Sequence, residues 1–288
     1  MNLQNIFSEI EKVDPEVYDK LDTRRSAMKK FATASGKIAV AAIPFALGSM
    51  FQKAYGQTAT TVNDVLNFAL RLEYLEAEFY TNVVGSPAYL TAPAAAQGAL
   101  TKIRDDENKH VTFLKNVLGA AAIAKPRFDF SAGSGSGTGP FAGYLANYAV
   151  MLAMAQTFED TGVRAYKGQA PALQSNRVAL TAALNIHSVE ARHASHIRQM
   201  RRGLNMAIPA GQTVKPWITL NQTGIDYAPG NAAIQPSYNG EEVVNQATVP
   251  IVGIGGNAFI DAGAASASFD ETLTMAQVVT IVTPFFAP

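Results

Sequence analysis

The sequence contains no cysteine and only four histidines among its 288 residues. The absence of cysteine excludes disulfides, thiolate zinc sites, iron–sulfur clusters and a cysteine nucleophile. The scarcity of histidine argues against multicopper and haem sites. Histidine and carboxylate side chains therefore remain as the groups that can hold a transition metal.

An excess of charge and a long apolar run are also missing. The chain has 23 basic and 23 acidic residues, so its net charge is zero and we expect no nucleic-acid partner. The mildly apolar run at residues 39–51 is shorter than the roughly 18 residues that a membrane helix needs, so we expect no stable membrane span. With 48% hydrophobic residues, the composition indicates a globular protein with a small or inorganic ligand.

The N-terminal segment reads as a targeting signal. Residues 23–31 are Thr-Arg-Arg-Ser-Ala-Met-Lys-Lys-Phe, and the apolar run follows them. This order resembles a twin-arginine export signal, although Ala27 stands where that signal usually has a large apolar residue. We expect residues 1–56 to be this signal, with the twin-arginine machinery as partner and a periplasmic or extracellular location. A basic linker or a flexible tail is the alternative.

Helical periodicity predicts four long helices within residues 57–203. They are expected at about 60–84, 94–118, 140–167 and from the breaker-rich stretch 168–176 to 202. The breaks after the first and third helices are short and imply two antiparallel hairpins. The connection of about 20 residues at 120–139 is long enough to run the length of a bundle. The predicted fold class is all-α, a ferritin-like four-helix bundle with one long crossover.

Residues 204–288 are expected to form a mostly irregular extension that packs on the bundle. Glycine, proline and asparagine dominate up to residue 267, and the β-prone stretch 247–252 suggests a few short strands. Ser268 and Glu271 have the spacing of a capping box. They predict a short terminal helix from Leu273 to about Val282.

Two Glu-x-x-His motifs occur, one on the second and one on the fourth predicted helix. They are Glu107-Asn108-Lys109-His110 and Glu190-Ala191-Arg192-His193. Residues three apart on a helix share a face, so the glutamate and histidine of each motif can bind the same metal ion. One such motif is a weak signal, but its repetition in both halves of the bundle is more specific.

The first and third helices each carry a glutamate in their apolar stripe, Glu73 and Glu159, where burying a charge is costly. A tyrosine follows each of them seven residues later, on the same face: Tyr80 and Tyr166. These tyrosines are our candidate catalytic residues. They either hydrogen-bond to the carboxylates of the site or simply fill the bundle.

The spacing also predicts that the four glutamates lie at one depth. Residues at equal depth in an antiparallel hairpin are equidistant from its turn. The midpoint of Glu73 and Glu107 is position 90, inside the first break, and that of Glu159 and Glu190 falls between 174 and 175. The second pair matches only if the fourth helix begins near Asn176.

The charge of four carboxylates, with two neutral imidazoles, balances the charge of two divalent ions. Bound metal would therefore lower the free-energy cost of burying four acids at one level. One glutamate from each of two helices and Glu-x-x-His from each of the other two is the known ligand pattern of di-iron and di-manganese bundles. The cofactors we expect are therefore two divalent ions, Fe or Mn.

The chain resembles the exported ferritin-like domain proteins of bacteria, which are related to plant desiccation-associated proteins. The resemblance covers about 60–203 through the stretch Leu-Glu-Tyr-Leu-Glu-Ala-Glu-Phe-Tyr at 72–80 and both Glu-x-x-His motifs, and residues 269–286 also look familial. It implies that the metal ligands are Glu73, Glu107, His110, Glu159, Glu190 and His193.

The expected function is redox chemistry on dioxygen or peroxide, of the ferroxidase, peroxidase or catalase-like kind. The alternative is a non-enzymatic metal-binding or storage protein, or a structural protein that protects against desiccation or stress. A homo-oligomer is compatible with either. Three roles stay open: Glu76 is a further ligand or an ion-pair partner of a basic group, and His187 and His196 either assist the site or are ordinary packing and surface residues.

Overall fold

The computed structural model describes residues 61–204 and 206–288, so the predicted export segment 1–56 lies outside the described residues. The α-helices of the described part are α1 Val62–Val83, α2 Pro87–Leu90, α3 Ala94–Leu118, α4 Tyr148–Gln169, α5 Arg177–Gly203, α6 Asn231–Ile234, α7 Ala262–Ser266 and α8 Met275–Val282. The strands are β1 Arg127–Phe128, β2 Asn245–Gln246, β3 Val249–Pro250 and β4 Phe286–Ala287. The four long helices α1, α3, α4 and α5 form the bundle. No described helix has the length and apolar character needed to cross a membrane.

The bundle consists of two antiparallel hairpins, as predicted. Helix α1 packs mainly on α3, and α4 packs mainly on α5. The Asn67 side chain, near the start of α1, bonds to the backbone of Ala121 and Ile123 just beyond the end of α3. The connection between α3 and α4 covers residues 119–147, so the long crossover is confirmed.

Local capping explains where the bundle helices begin. Helix α1 starts with a capping box between Thr61 and Asp64. Asn176 caps α5 by accepting a hydrogen bond from the Ala179 N–H. Helix α5 therefore begins near Asn176, as the prediction of equal depth for Glu159 and Glu190 requires.

The predicted start of the third bundle helix at Pro140 is wrong. Gly143 has a left-handed backbone with φ of 82°, which a continuous helix does not allow. Helix α4 therefore begins at Tyr148, where the Asn147 side chain accepts the N–H groups of Ala149 and Val150.

The C-terminal extension packs on α4 and α5. Residues 245–250 form a two-stranded hairpin, and β4 pairs antiparallel with β1 of the crossover. Helix α8 confirms the predicted terminal helix, but the predicted capping box at Ser268 and Glu271 is wrong. The Ser268 hydroxyl bonds back to the Ala264 carbonyl, and Thr274 with Gln277 caps the helix instead.

Buried polar contacts fix this extension to the bundle. Asp160 of α4 pairs with Arg198 of α5 and accepts a hydrogen bond from the Tyr238 hydroxyl at 2.8 Å. Arg164 of α4 forms a fully buried ion pair with Glu241, Nε to Oε1 2.6 Å. The contacts with Tyr238 and Glu241 join α4 to a segment more than 70 residues away along the chain.

Candidate metal centre

The bundle brings all six predicted ligands to one level of its interior. Two come from α3, two from α5, and one each from α1 and α4. The carboxylates of Glu73, Glu107, Glu159 and Glu190 are fully buried, and His110 and His193 are 9% and 6% exposed. Four carboxylates at one depth in an apolar interior need compensation by positive charge.

The ligand atoms form two groups that share two residues. Glu73, Glu107, His110 and Glu190 offer atoms within 4.8 Å of one another, and so do Glu107, Glu159, Glu190 and His193. Glu107 and Glu190 belong to both groups. If each group held one ion, Glu107 and Glu190 would be ligands of both ions.

His110 faces more acceptors than one ring nitrogen can serve. Its Nδ1 lies 3.1 Å from Glu73 Oε2, 3.1 Å from Glu107 Oε2 and 3.2 Å from Glu190 Oε1. One N–H cannot donate well to three carboxylates. Ligands about 2.1 Å from one ion at right angles lie about 3 Å apart, so these spacings match those of a common coordination sphere.

His193 occupies the corresponding place in the second group. Its Nδ1 lies 2.8 Å from Glu107 Oε1 and 3.3 Å from Glu159 Oε2, yet neither contact is aligned as a hydrogen bond. Within the described part of the chain, buried atoms without a hydrogen-bond partner include Glu107 Oε1, Glu159 Oε2, both Glu190 carboxylate oxygens and His193 Nδ1. Unpaired buried atoms of this kind are costly, and metal ions held by the two donor groups would give them partners. The residues present therefore fit a dinuclear metal centre.

The ionisation of the cluster supports this fit. Burial raises the pKa of the Glu107 carboxyl to about 7, against the lowering effect of His110 and His193. Burial and then the charge of Glu107 raise the pKa of Glu190 well above its usual range. For His193, burial favours the neutral ring, but Glu159 and Glu107 outweigh it and raise the pKa to about 11. Without cations, the cluster holds together only by taking up protons.

The two predicted tyrosines bind carboxylates of the opposite hairpin. The Tyr80 hydroxyl donates to Glu159 Oε1 at 2.5 Å, and the Tyr166 hydroxyl donates to Glu73 Oε1. Both are buried, with Tyr80 0% and Tyr166 6% exposed. They hold the carboxylates in place, so we treat them as positioning residues.

Glu76 adds a fifth carboxylate to the cluster. It is 3% exposed, and no hydrogen bond or ion pair to another described residue holds its carboxylate. Burial and then the charges of Glu190 and Glu107 raise its pKa well above the usual range. The open alternative of an ion pair with a basic group is therefore wrong for the described residues.

Gly162 makes room for this extra carboxylate, and the sequence interpretation missed it. A Cβ at position 162 would lie 3.3 Å from Glu76 Oε1 and 3.6 Å from Glu190 Oε2. An offset of 86 residues relates Glu73 to Glu159 and Tyr80 to Tyr166, and it also relates Glu76 to Gly162. The two halves of the bundle thus differ at this position, and the offset is the signal that could have revealed it.

The remaining histidines stand outside the cluster. His187 Nδ1 contacts the Val163 carbonyl at 3.0 Å, and burial lowers its pKa. His196 is exposed on α5. The His193 Nε2 lies 3.6 Å from Asp106 Oδ2.

The comparison with known families agrees with the fold. No curated protein and no solved structure matches the chain. Residues 61–202 match the family profile of the ferritin-like domain. This range includes all six predicted ligands and the four bundle helices except Gly203, the last residue of α5. Residues 61–202 of this chain therefore form a ferritin-like domain.

Proposed function

We propose that this chain is a dinuclear iron or manganese carboxylate protein that acts in redox chemistry on dioxygen or peroxide. The observation that carries the proposal is the pair of overlapping donor groups, whose buried oxygen and nitrogen atoms lack other partners. A cluster kept only for structure would be expected to satisfy these atoms within the protein.

The donor set favours these two metals. Each group contains three carboxylates and one imidazole. Oxygen-rich sites with a single imidazole suit Fe and Mn better than the thiolate or nitrogen-rich sets typical of other redox metals. Glu107 and Glu190 would be shared, Glu73 and His110 would complete one site, and Glu159 and His193 would complete the other.

Two such ions, when bound in the reduced state, would each give up one electron, and two electrons with two protons would reduce dioxygen to hydrogen peroxide or hydrogen peroxide to two waters. For turnover, an external reductant or further Fe(II) would have to return the pair to the reduced state. The chain's own residues provide the setting for this reaction. The four buried glutamates fix the pair of sites side by side, and the interior around them excludes bulk water. Tyr80 and Tyr166 each hold one oxygen of an unshared carboxylate, Glu159 and Glu73, which restricts how these ligands can turn.

A pair of histidine variants on one helix tests the proposal. His193→Ala removes an imidazole of the cluster, and His196→Ala removes an exposed imidazole one turn away on α5. We expect His193→Ala to abolish the turnover of dioxygen or peroxide by the metal-loaded protein while helical circular dichroism persists, and His196→Ala to retain it. Equal activity in the two variants would favour the non-enzymatic alternative.

Export stays a separate part of the proposal. The arginine pair and the following apolar run at 23–51 support a twin-arginine signal. A protein exported in the folded state would bind its metals before it leaves the cytoplasm.

A further inference from the structure

A small apolar cavity lies inside the bundle beside the predicted ligands. Its volume is about 20 Å³ for the centres of water-sized molecules. About 10 to 15 Å³ by this measure holds one water, so the cavity accommodates one or two very small molecules and no long chain. All four bundle helices line it, and the lining residues include Ala69, Leu72, Leu114, Tyr166, Ala183 and Ile186.

The cavity reaches to within one helical turn of the cluster. Ala69 lies four residues before Glu73, Leu114 four after His110, and Ile186 four before Glu190. One turn corresponds to about 5.4 Å along the axis. Tyr166 lines the cavity and donates its hydrogen bond to Glu73, so this side chain stands between the cavity and the cluster.

On the side of the cluster next to Tyr80, aromatic side chains fill the bundle interior. There the Phe79 ring packs against Tyr80 and Phe158, with centroids 5.1 Å away in both cases, and Phe158 packs against Phe285 at 4.9 Å. On the cavity side, small side chains at Ala69, Ala165 and Ala183 leave the space open. The two tyrosines bind equivalent carboxylates, but the cavity lies on the Tyr166 side, whereas aromatic rings pack on the Tyr80 side.

We propose that this cavity is a binding site for dioxygen on its way to the metal pair, an inference that rests on the proposed function. An apolar cavity stays dry and takes up small apolar molecules. Hydrogen peroxide needs hydrogen-bond partners, and the lining offers few. The Tyr166 hydroxyl is already bound to Glu73, and the Gln169 Nε2, which has no hydrogen-bond partner among the described residues, offers one donor group where a bound polar molecule needs two to four partners. The substrate class of the site is therefore dioxygen rather than peroxide.

Dissolved dioxygen tests the site directly in the metal-free protein. Dioxygen is paramagnetic and enhances the relaxation of nearby methyl groups in NMR spectra. We expect stronger enhancement at Leu114 and Leu173, which line the cavity, than at Leu100 and Leu152, which are equally buried on the Tyr80 side. Equal enhancement of the two sets would overturn the proposal without touching the metal site.

A filling variant then tests the role of the site in turnover. Ala183→Leu places a larger side chain in the cavity, and Ala191→Leu makes the same change at an exposed position of α5. Ala183→Leu should remove the excess relaxation and raise the KM for dioxygen about tenfold, the low end of the effect of a misplaced methylene in an apolar pocket. Metal content and peroxide turnover should stay at the level of Ala191→Leu.

The outcomes separate the two proposals. An unchanged KM for dioxygen in Ala183→Leu, or in the milder Ala183→Val should the first variant not fold, overturns the dioxygen site while the metal centre stands. A protein that takes up neither iron nor manganese refutes the proposed function and the catalytic role of the cavity, whereas the relaxation measurement still decides whether dioxygen binds there.

Discussion

Breaking the buried ion pair between Asp160 and Arg198 should strongly destabilise the folded chain. Their side chains are 4% and 3% exposed, and the guanidinium makes two hydrogen bonds to the carboxylate. Asp160 also accepts the Tyr238 hydroxyl, so Asp160→Ala would leave a buried guanidinium and a buried hydroxyl with one partner fewer. Removing one partner of a buried pair typically costs about 3 to 5 kcal/mol.

For a domain of this size, about 1 kcal/mol shifts the melting temperature by about 2 to 4 °C, so we expect Asp160→Ala to lower it by about 6 to 20 °C. Thermal unfolding followed by circular dichroism measures this shift. Asp105→Ala is the matched control, because Asp105 is 47% exposed and its pair with Arg104 lies on the surface, where such pairs contribute about 1 kcal/mol or less. The double variant Asp160→Ala, Arg198→Leu should recover part of the loss, since the Arg198 guanidinium no longer stays buried without its carboxylate partner. A melting temperature of Asp160→Ala equal to that of Asp105→Ala would refute this reasoning.

Two further predictions concern the metals and the N-terminal segment. Adding Fe(II) or Mn(II) anaerobically at about 100 times the dissociation constant should stabilise the protein by about 2.7 kcal/mol per site and raise its melting temperature; an unchanged melting temperature would contradict a buried site. Replacing Arg24 and Arg25 by lysine should leave the protein in the cytoplasm, as cell fractionation with immunodetection would show, and undiminished export of this variant would rule out a twin-arginine signal.

The bundle and the meeting of the six ligands could be predicted because they follow from local rules. Apolar residues at helical spacing define α1, α3, α4 and α5, and equal distances from two turns place four glutamates at one depth. The start of α5 illustrates this rule. Equal depth of Glu159 and Glu190 required a helix that begins near Asn176, and α5 begins directly after this residue.

The errors come from choices that depend on backbone conformation and distant contacts. Pro140 suits the start of a helix, but left-handed Gly143 interrupts it before the Asn147 cap. Ser268 has the spacing for a cap, yet its hydroxyl bonds to the preceding turn. The bond between Asp160 and Tyr238 could not be predicted either, because Tyr238 comes from an irregular segment 78 residues away.

The metal content of the purified protein tests the central claim most directly. Elemental analysis of native protein, or of protein incubated anaerobically with Fe(II) or Mn(II), should give about two ions per chain, one for each donor group. Glu190→Ala should remove both ions because Glu190 belongs to both groups, whereas His196→Ala should keep them. A wild-type protein that stays free of metal under these conditions would contradict the account.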